Sequence, residues 1–126
     1  MPAYFRIDKE RRLVMTTFSG VFTAADGLSH QEKLLKDPVF HPSFSELLDC
    51  THITKADLAP DDVRRLAQRT IFAPNARRAI LVSGDYIFGL AKMFAVFREL
   101  AGEKGIRVFD NLDEALWWVF SGNVNS

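Results

Sequence analysis

The sequence predicts an α/β protein: one domain with a mixed β-sheet of about five strands, flanked by about four helices. Two observations lead to this prediction. Short apolar runs are each followed by a helical segment, which is typical of buried parallel strands joined by crossover helices. Near the start, two extended segments flank a charged turn, which predicts an antiparallel hairpin. The apolar runs are Phe44 to Cys50, Ala79 to Val82 and Ile106 to Phe109.

The predicted hairpin pairs Ala3 to Ile7 with Leu13 to Phe18, around the charged residues 8–12. Aromatic and β-branched side chains in both segments favour extended structure. A turn this short makes the two strands antiparallel. Ser19 and Gly20 should then end the second strand or form a bulge in it.

Four helices follow from apolar periodicity and from residues that start or stop helices. Thr23 has the type and position of an N-cap, with Asp26 in the first turn, where helix amides favour a carboxylate. A second helix should begin at Pro60 and continue through Ile71, because apolar residues recur at three- and four-residue spacing. The segment between the third strand and this helix, Thr51 to Ala59, is predicted to be a long polar loop. The predicted helices are residues 24–36, 60–73, Asp85 to Ala101 and Leu112 to Phe120.

Composition limits the classes of function. Lys+Arg and Asp+Glu number 16 each, so the chain lacks the basic balance of a general nucleic-acid binder. The single cysteine, Cys50, fits a reducing compartment, and no apolar run is long enough to span a membrane. We therefore expect a cytoplasmic protein with one domain over residues 1–126, a loose tail at 121–126, and no metal or cofactor.

Three segments resemble a known family. Leu13 to Gly20 is a hairpin strand ending in Gly, Phe44 to Asp49 is a central strand ending in Asp, and Val108 to Trp118 combines a strand, Asp-Glu-Ala and Trp. In these features the chain resembles the STAS/SpoIIAA-like (STAS/SEC14-type) family of small bacterial proteins. The resemblance implies a SpoIIAA-like sheet flanked by helices, and regulatory binding rather than catalysis.

The resemblance also allows a comparison with the phosphorylation site of some members of this fold. Anti-sigma-factor antagonists of this fold carry a phosphorylated Ser or Thr in a turn after a central strand. The matching region, Asp49 to Asp57, lacks their Ser-Gly element. Thr51 and Thr54 are the hydroxyls nearest to that position, and whether either is phosphorylated is left open.

A ligand or partner site is predicted where the strands end, because ligands of open α/β sheets bind beyond the carboxyl ends of the strands. The alternative is structural: Asp85 and Asn111 would cap helices, and Asp49 would accept hydrogen bonds from loop amides. The residues of the predicted rim are Asp49, Cys50, Thr51, Ser83, Gly84, Asp85, Asp110 and Asn111.

Cys50 and His52 are two residues apart, so in an extended chain their side chains would point the same way. With Asp49 they could form a nucleophile pair or half of a metal site. The alternative is a buried, inert cysteine at the end of a strand.

Arginines crowd the region around the second helix, and Asp61 and Asp62 precede Arg65 by about one turn. This pattern fits a solvated helix face, and the alternative is a patch for an anion or an acidic partner. The arginines are Arg64, Arg65, Arg69, Arg77 and Arg78.

The helix at Asp85 to Ala101 is apolar nearly all round, which indicates a helix that is deeply covered or faces a partner. A broad core face is predicted from Ile87, Leu90, Ala91, Phe94, Phe97 and Ala101. The opposite stripe is Phe88, Lys92, Val96 and Glu99, a predicted interface for a homodimer unless the 51–59 loop covers it. Trp117 and Trp118 are adjacent in a helix, so one should be core and the other should lie at a rim or an interface.

These features support three hypotheses. The first is a non-enzymatic regulatory or protein-interaction module, homodimeric, that uses the rim and the apolar helix. The second is a carrier of a small apolar ligand, which the 11 phenylalanines favour. The third is an enzyme that depends on Cys50, with Asp49 and His52.

Overall fold

The structure is a computed structural model, and it describes residues 3–121. Five strands and four helices follow one another along the chain. The strands are β1 (Ala3–Asp8), β2 (Leu13–Thr23), β3 (Ser45–Asp57), β4 (Arg78–Leu81) and β5 (Ile106–Phe109). The helices are α1 (Ala24–Lys36), α2 (Pro60–Leu66), α3 (Asp85–Leu100) and α4 (Leu112–Ser121).

All five strands form one sheet in the order β1-β2-β3-β4-β5. β1 and β2 are antiparallel, and the other neighbouring strands are parallel, which confirms the predicted hairpin and parallel core. Side chains alternate between the two faces of a strand. Leu13 and Leu47 pack with α4 on one face. Val14 and Phe18 pack on the other face, which α1, α2 and α3 cover.

Strands β2 and β3 are longer than predicted. The prediction that residues 51–59 form a loop is wrong, because Thr51 to Asp57 continue β3 beside Ser19 to Thr23 of β2. The expected irregularity near Ser19 and Gly20 is present as two shifts in register. Residues 51–57 have few apolar side chains, and they are extended because their backbone pairs with β2.

Helix α2 is shorter than predicted and ends at Leu66. Side chains from other helices take the carbonyl groups at its end: Gln31 Nε2 donates to the Leu66 carbonyl at 2.9 Å, and Arg98 Nη1 donates to the Ala67 carbonyl at 2.7 Å. Ile71 is buried, as its periodic position predicted, but it lies in the non-helical segment that follows.

The starts of α1 and α4 follow the sequence signals closely. Thr23 and Asp26 form a reciprocal capping box at the start of α1. Asn111 Oδ1 accepts from the Glu114 amide at 2.9 Å and caps α4. Of the predicted tail, Ser121 is the last residue of α4 and residues 122–126 lie outside the described residues. Within residues 3–121, no helix has both the length and the apolar content to cross a membrane.

Candidate functional site

Only part of the predicted rim lies where strands end: β4 and β5 end just before its residues 83–85 and 110–111, whereas residues 49–51 lie inside β3, which continues to Asp57. Asp49, Leu81 and Phe109 are aligned on neighbouring parallel strands, so the segments 83–85 and 110–111 leave the sheet at the same edge. The Asp49 carboxylate already has partners in its own strand, since Oδ1 accepts from the Thr51 amide at 2.9 Å and from its hydroxyl at 2.6 Å.

The alternative interpretation, in which these residues only cap helices or accept hydrogen bonds from nearby amides, is therefore correct for Asp49 and for Asn111, which caps α4. It is wrong for Asp85. Gly84, at φ 87°, is the N-cap of α3, and Asp85 is the first residue of the helix. Ser83 and Asp110 are exposed, and a ligand role for the rim stays a prediction.

Cys50 and His52 do not come together. An extra residue of β3 between the partners of Thr17 and Ser19 turns the two side chains to different environments. Cys50 is buried, and burial, with smaller contributions from Glu46 and Asp49, raises the pKa of its thiol to about 12. His52 is exposed and lies 3.6 Å from Asp49 Oδ2. Within residues 3–121, no group of three or more His, Cys, Asp or Glu is placed to hold a metal ion.

A cavity of about 110 Å³ lies between the sheet and helices α1, α2 and α3. Most of the side chains around it are apolar. The sheet forms one wall. The opposite wall includes Leu34 of α1, Leu66 of α2 and Phe94 of α3. Apolar residues from the sheet in its wall include Phe18, Phe22, Leu48, Ile53 and Ile80.

Two charged residues reach this cavity from adjacent strands, and both are buried. Arg78 Nε donates to Glu46 Oε1 at 3.1 Å, and the guanidinium lies 4.3 Å from the centre of the Phe72 ring. Arg78 Nη1 also donates to Glu103 Oε1 at 2.9 Å, and Glu103 in turn accepts from Arg98 Nε at 3.1 Å. Two carboxylates thus oppose two guanidinium groups, and the buried network has no net charge when all four are ionised.

Two further polar side chains, His30 and Gln31 of α1, lie in the cavity wall. The His30 ring packs edge-on against Phe5 and Phe18, with centroids 5.5 and 5.3 Å away. Burial lowers its pKa; Glu46 opposes this effect and the nearby Arg78 and Lys33 add to it. The imidazole is therefore neutral at pH 7. Gln31 is 8% exposed, and its Oε1 has no hydrogen-bond partner among the described residues.

Comparison with known proteins supports the fold. A crystal structure of an uncharacterized DUF3478-family protein from Shewanella loihica PV-4, described as having a SpoIIAA-like fold, matches with a TM-score of 0.60. The match covers 93% of each chain at 18% sequence identity. This chain has a SpoIIAA-like fold. No protein-family model and no curated protein matches the sequence.

The SpoIIAA-like fold confirms the predicted architecture, and it also contains buried polar groups that the sequence patterns did not predict. Glu46 lies inside the apolar run at residues 44–50, and Arg78 directly precedes the run at residues 79–82. The two are register partners on β3 and β4. Opposite charges at the start of two consecutive buried strands were the signal that could have identified this pair.

The arginines predicted to form one cluster lie in two different environments, one exposed and one buried. Arg64 and Arg65 are exposed and lie 3.3 and 3.0 Å from Asp61 and Asp62, as a solvated helix face predicts. Arg78 is buried in the ion-pair network, so both sequence interpretations are wrong for that residue.

Helix α3 covers one wall of the cavity and leaves much of its surface exposed. The predicted core face is largely correct: Ala91 is buried, and Ile87, Leu90 and Phe94 are half-buried in the cavity wall. It is wrong for Ala101, which is exposed. Phe88 and Val96 are 41% and 48% exposed, so the 51–59 segment does not bury them. That segment is mostly part of β3. In α4, Trp118 is buried and Trp117 is 72% exposed, which confirms that only one of the pair is core.

Proposed function

We propose that the protein is a non-enzymatic binding module for a small apolar molecule, which it holds in the cavity between the sheet and helices α1, α2 and α3. The observation that carries the proposal is the cavity itself. Apolar residues from three strands and three helices converge on one volume, and apolar surface removed from water stabilises a bound apolar molecule. The function is thus that of a carrier or sensor.

The chemistry around Cys50 argues against a cysteine-dependent enzyme. A nucleophilic cysteine requires a thiolate, and burial keeps this thiol protonated at neutral pH. His52, which would serve as its base, is exposed beside Asp49.

The test is binding of toluene, followed by amide chemical shifts in an NMR titration. We expect saturable shifts in residues around the cavity, and at least tenfold weaker binding to Ala91→Leu, in which the larger side chain occupies part of the volume. Ala95→Leu is the matched control, because Ala95 is on the same helix but outside the cavity wall. Ala56→Leu fills the volume from β3 and replaces Ala91→Leu if that variant does not fold. Unchanged binding to a folded cavity-filling variant would contradict the proposal.

A regulatory or protein-interaction module that self-associates as a homodimer is the second candidate. The exposed apolar residues of α3 favour it, since large exposed apolar patches mark interaction surfaces. Phe88, Val96 and Leu100 are 41%, 48% and 79% exposed. In both candidates the protein acts in the cytoplasm. The two are compatible, because Ala91 and Phe94 of the same helix face the cavity.

A further inference from the structure

Gln31 connects α1 to the end of α2 and has one unused hydrogen-bonding atom. Its Nε2 donates to the Leu66 carbonyl at 2.9 Å. A carbonyl oxygen only accepts hydrogen bonds, so this contact fixes which end of the amide is the nitrogen. Oε1 is therefore the free end; it is buried, and no donor from residues 3–121 reaches it. Buried acceptors without a partner are rare and costly, so this atom indicates that a bound molecule supplies the hydrogen-bond donor.

No other polar group of the cavity wall within residues 3–121 donates to this atom in the structure. Arg78 Nε and Nη1 donate to Glu46 and Glu103 instead, and the His30 ring packs edge-on against Phe5 and Phe18. The carboxylates and guanidinium groups of the buried network already compensate one another. A ligand carboxylate would add a charge without a counter-ion and would bring a second acceptor to Gln31 Oε1, so the arrangement favours a neutral molecule.

The volume indicates the size of the apolar part of that molecule. A cavity of about 150 Å³ in another protein is known to bind benzene. The cavity here measures about 110 Å³, which is close to the space that a single small ring occupies.

We infer that the ligand of this cavity is a small neutral alcohol or phenol, whose apolar part fills the volume and whose hydroxyl donates to Gln31 Oε1. This inference rests on the proposed function and adds the polar contact that selects the ligand. Selection of this kind is strong, because an apolar molecule of the same shape leaves the buried acceptor without a partner.

The experiment compares phenol with toluene, which has the same shape without a donor, in the wild-type protein and in Gln31→Met. We expect the ratio of the two affinities to shift toward toluene by at least tenfold in the variant. Benzoate should bind the wild type more weakly than phenol at pH 7.

The outcomes separate the two proposals. Binding of neither toluene nor phenol would contradict the proposed function. Binding of toluene with an unchanged ratio in Gln31→Met would overturn only the hydroxyl contact. If Gln31→Met does not fold, the wild-type Gln31 side-chain amide signals decide: they should move with phenol and not with toluene, and equal shifts would overturn the inference.

Discussion

Glu46 and Arg78 are direct neighbours on parallel strands β3 and β4, and Arg78 Nε lies 3.1 Å from Glu46 Oε1 in the interior of the protein. The pair continues through Glu103 to Arg98, whose Nη1 donates to the Ala67 carbonyl. The network thus fastens the end of α3 and the segment after α2 to the sheet. Other residues of α3 and of the segment after α2 line the cavity, so the ion pairs help to hold two of its walls against the sheet.

We expect Glu103→Gln to destabilise the protein by about 3–5 kcal/mol, because the change leaves two buried guanidinium groups opposed by one carboxylate. Urea unfolding followed by circular dichroism measures the effect. Asp61→Asn is the control: its carboxylate is exposed and pairs with exposed Arg64, so the change should cost less than about 1 kcal/mol. A Glu103→Gln protein as stable as the control would show that the network does not hold the fold together.

Local signals were sufficient for the elements whose causes are local. The capping residues Thr23 and Asn111 and the short apolar runs identified helices and strands correctly. The errors arose from distant contacts. The segment at residues 51–57 is a strand because β2 lies beside it, and α2 ends early because Gln31 and Arg98 take its last carbonyls.

The cavity could not be predicted from the sequence for the same reason. Its walls come from segments that are far apart along the chain, and its unpaired atom depends on a single side-chain orientation. Gln31 is one of several polar residues of α1 in the sequence, and its contact with Leu66 exists only because α1 and α2 pack together.

Two glycines should respond in opposite ways to replacement by alanine. A Cβ on Gly105 would collide with the Ala76 carbonyl oxygen, which is backbone and cannot move aside easily. We expect Gly105→Ala to destabilise the protein by about 1–3 kcal/mol. Gly89 lies within α3 and a Cβ there meets nothing within 4 Å, so Gly89→Ala should stabilise by up to about 1 kcal/mol. Thermal unfolding of both variants measures these shifts, and a destabilised Gly89→Ala would mean that another chain covers that face of α3.

The exposed stripe of α3 predicts that Phe88→Asp weakens self-association. A carboxylate at the centre of an apolar interface loses its hydration without gaining a partner, so a dimer should dissociate at least tenfold more readily. Sedimentation equilibrium measures the mass, and circular dichroism checks that the fold is intact. Leu35→Asp on α1, another exposed apolar position, is the control and should leave the mass unchanged. A wild-type protein that is monomeric at high concentration would remove the homodimer from consideration.

The buried thiol of Cys50 predicts a loss of stability at high pH. Its pKa is about 12 in the folded protein and near 9.0 when the chain unfolds, so the unfolded state loses its proton first as the pH rises. The stabilisation is complete below pH 9 and decreases between pH 9 and 12, by at most about 1.4 kcal/mol per pH unit. Tyrosine and lysine side chains titrate in the same range, so the measurement is the difference between wild type and Cys50→Ala. Urea unfolding over this range should show a steeper decline for the wild type. Parallel curves would mean that Cys50 ionises as readily in the folded protein as in the unfolded chain, which would bring the cysteine-dependent enzyme back into consideration.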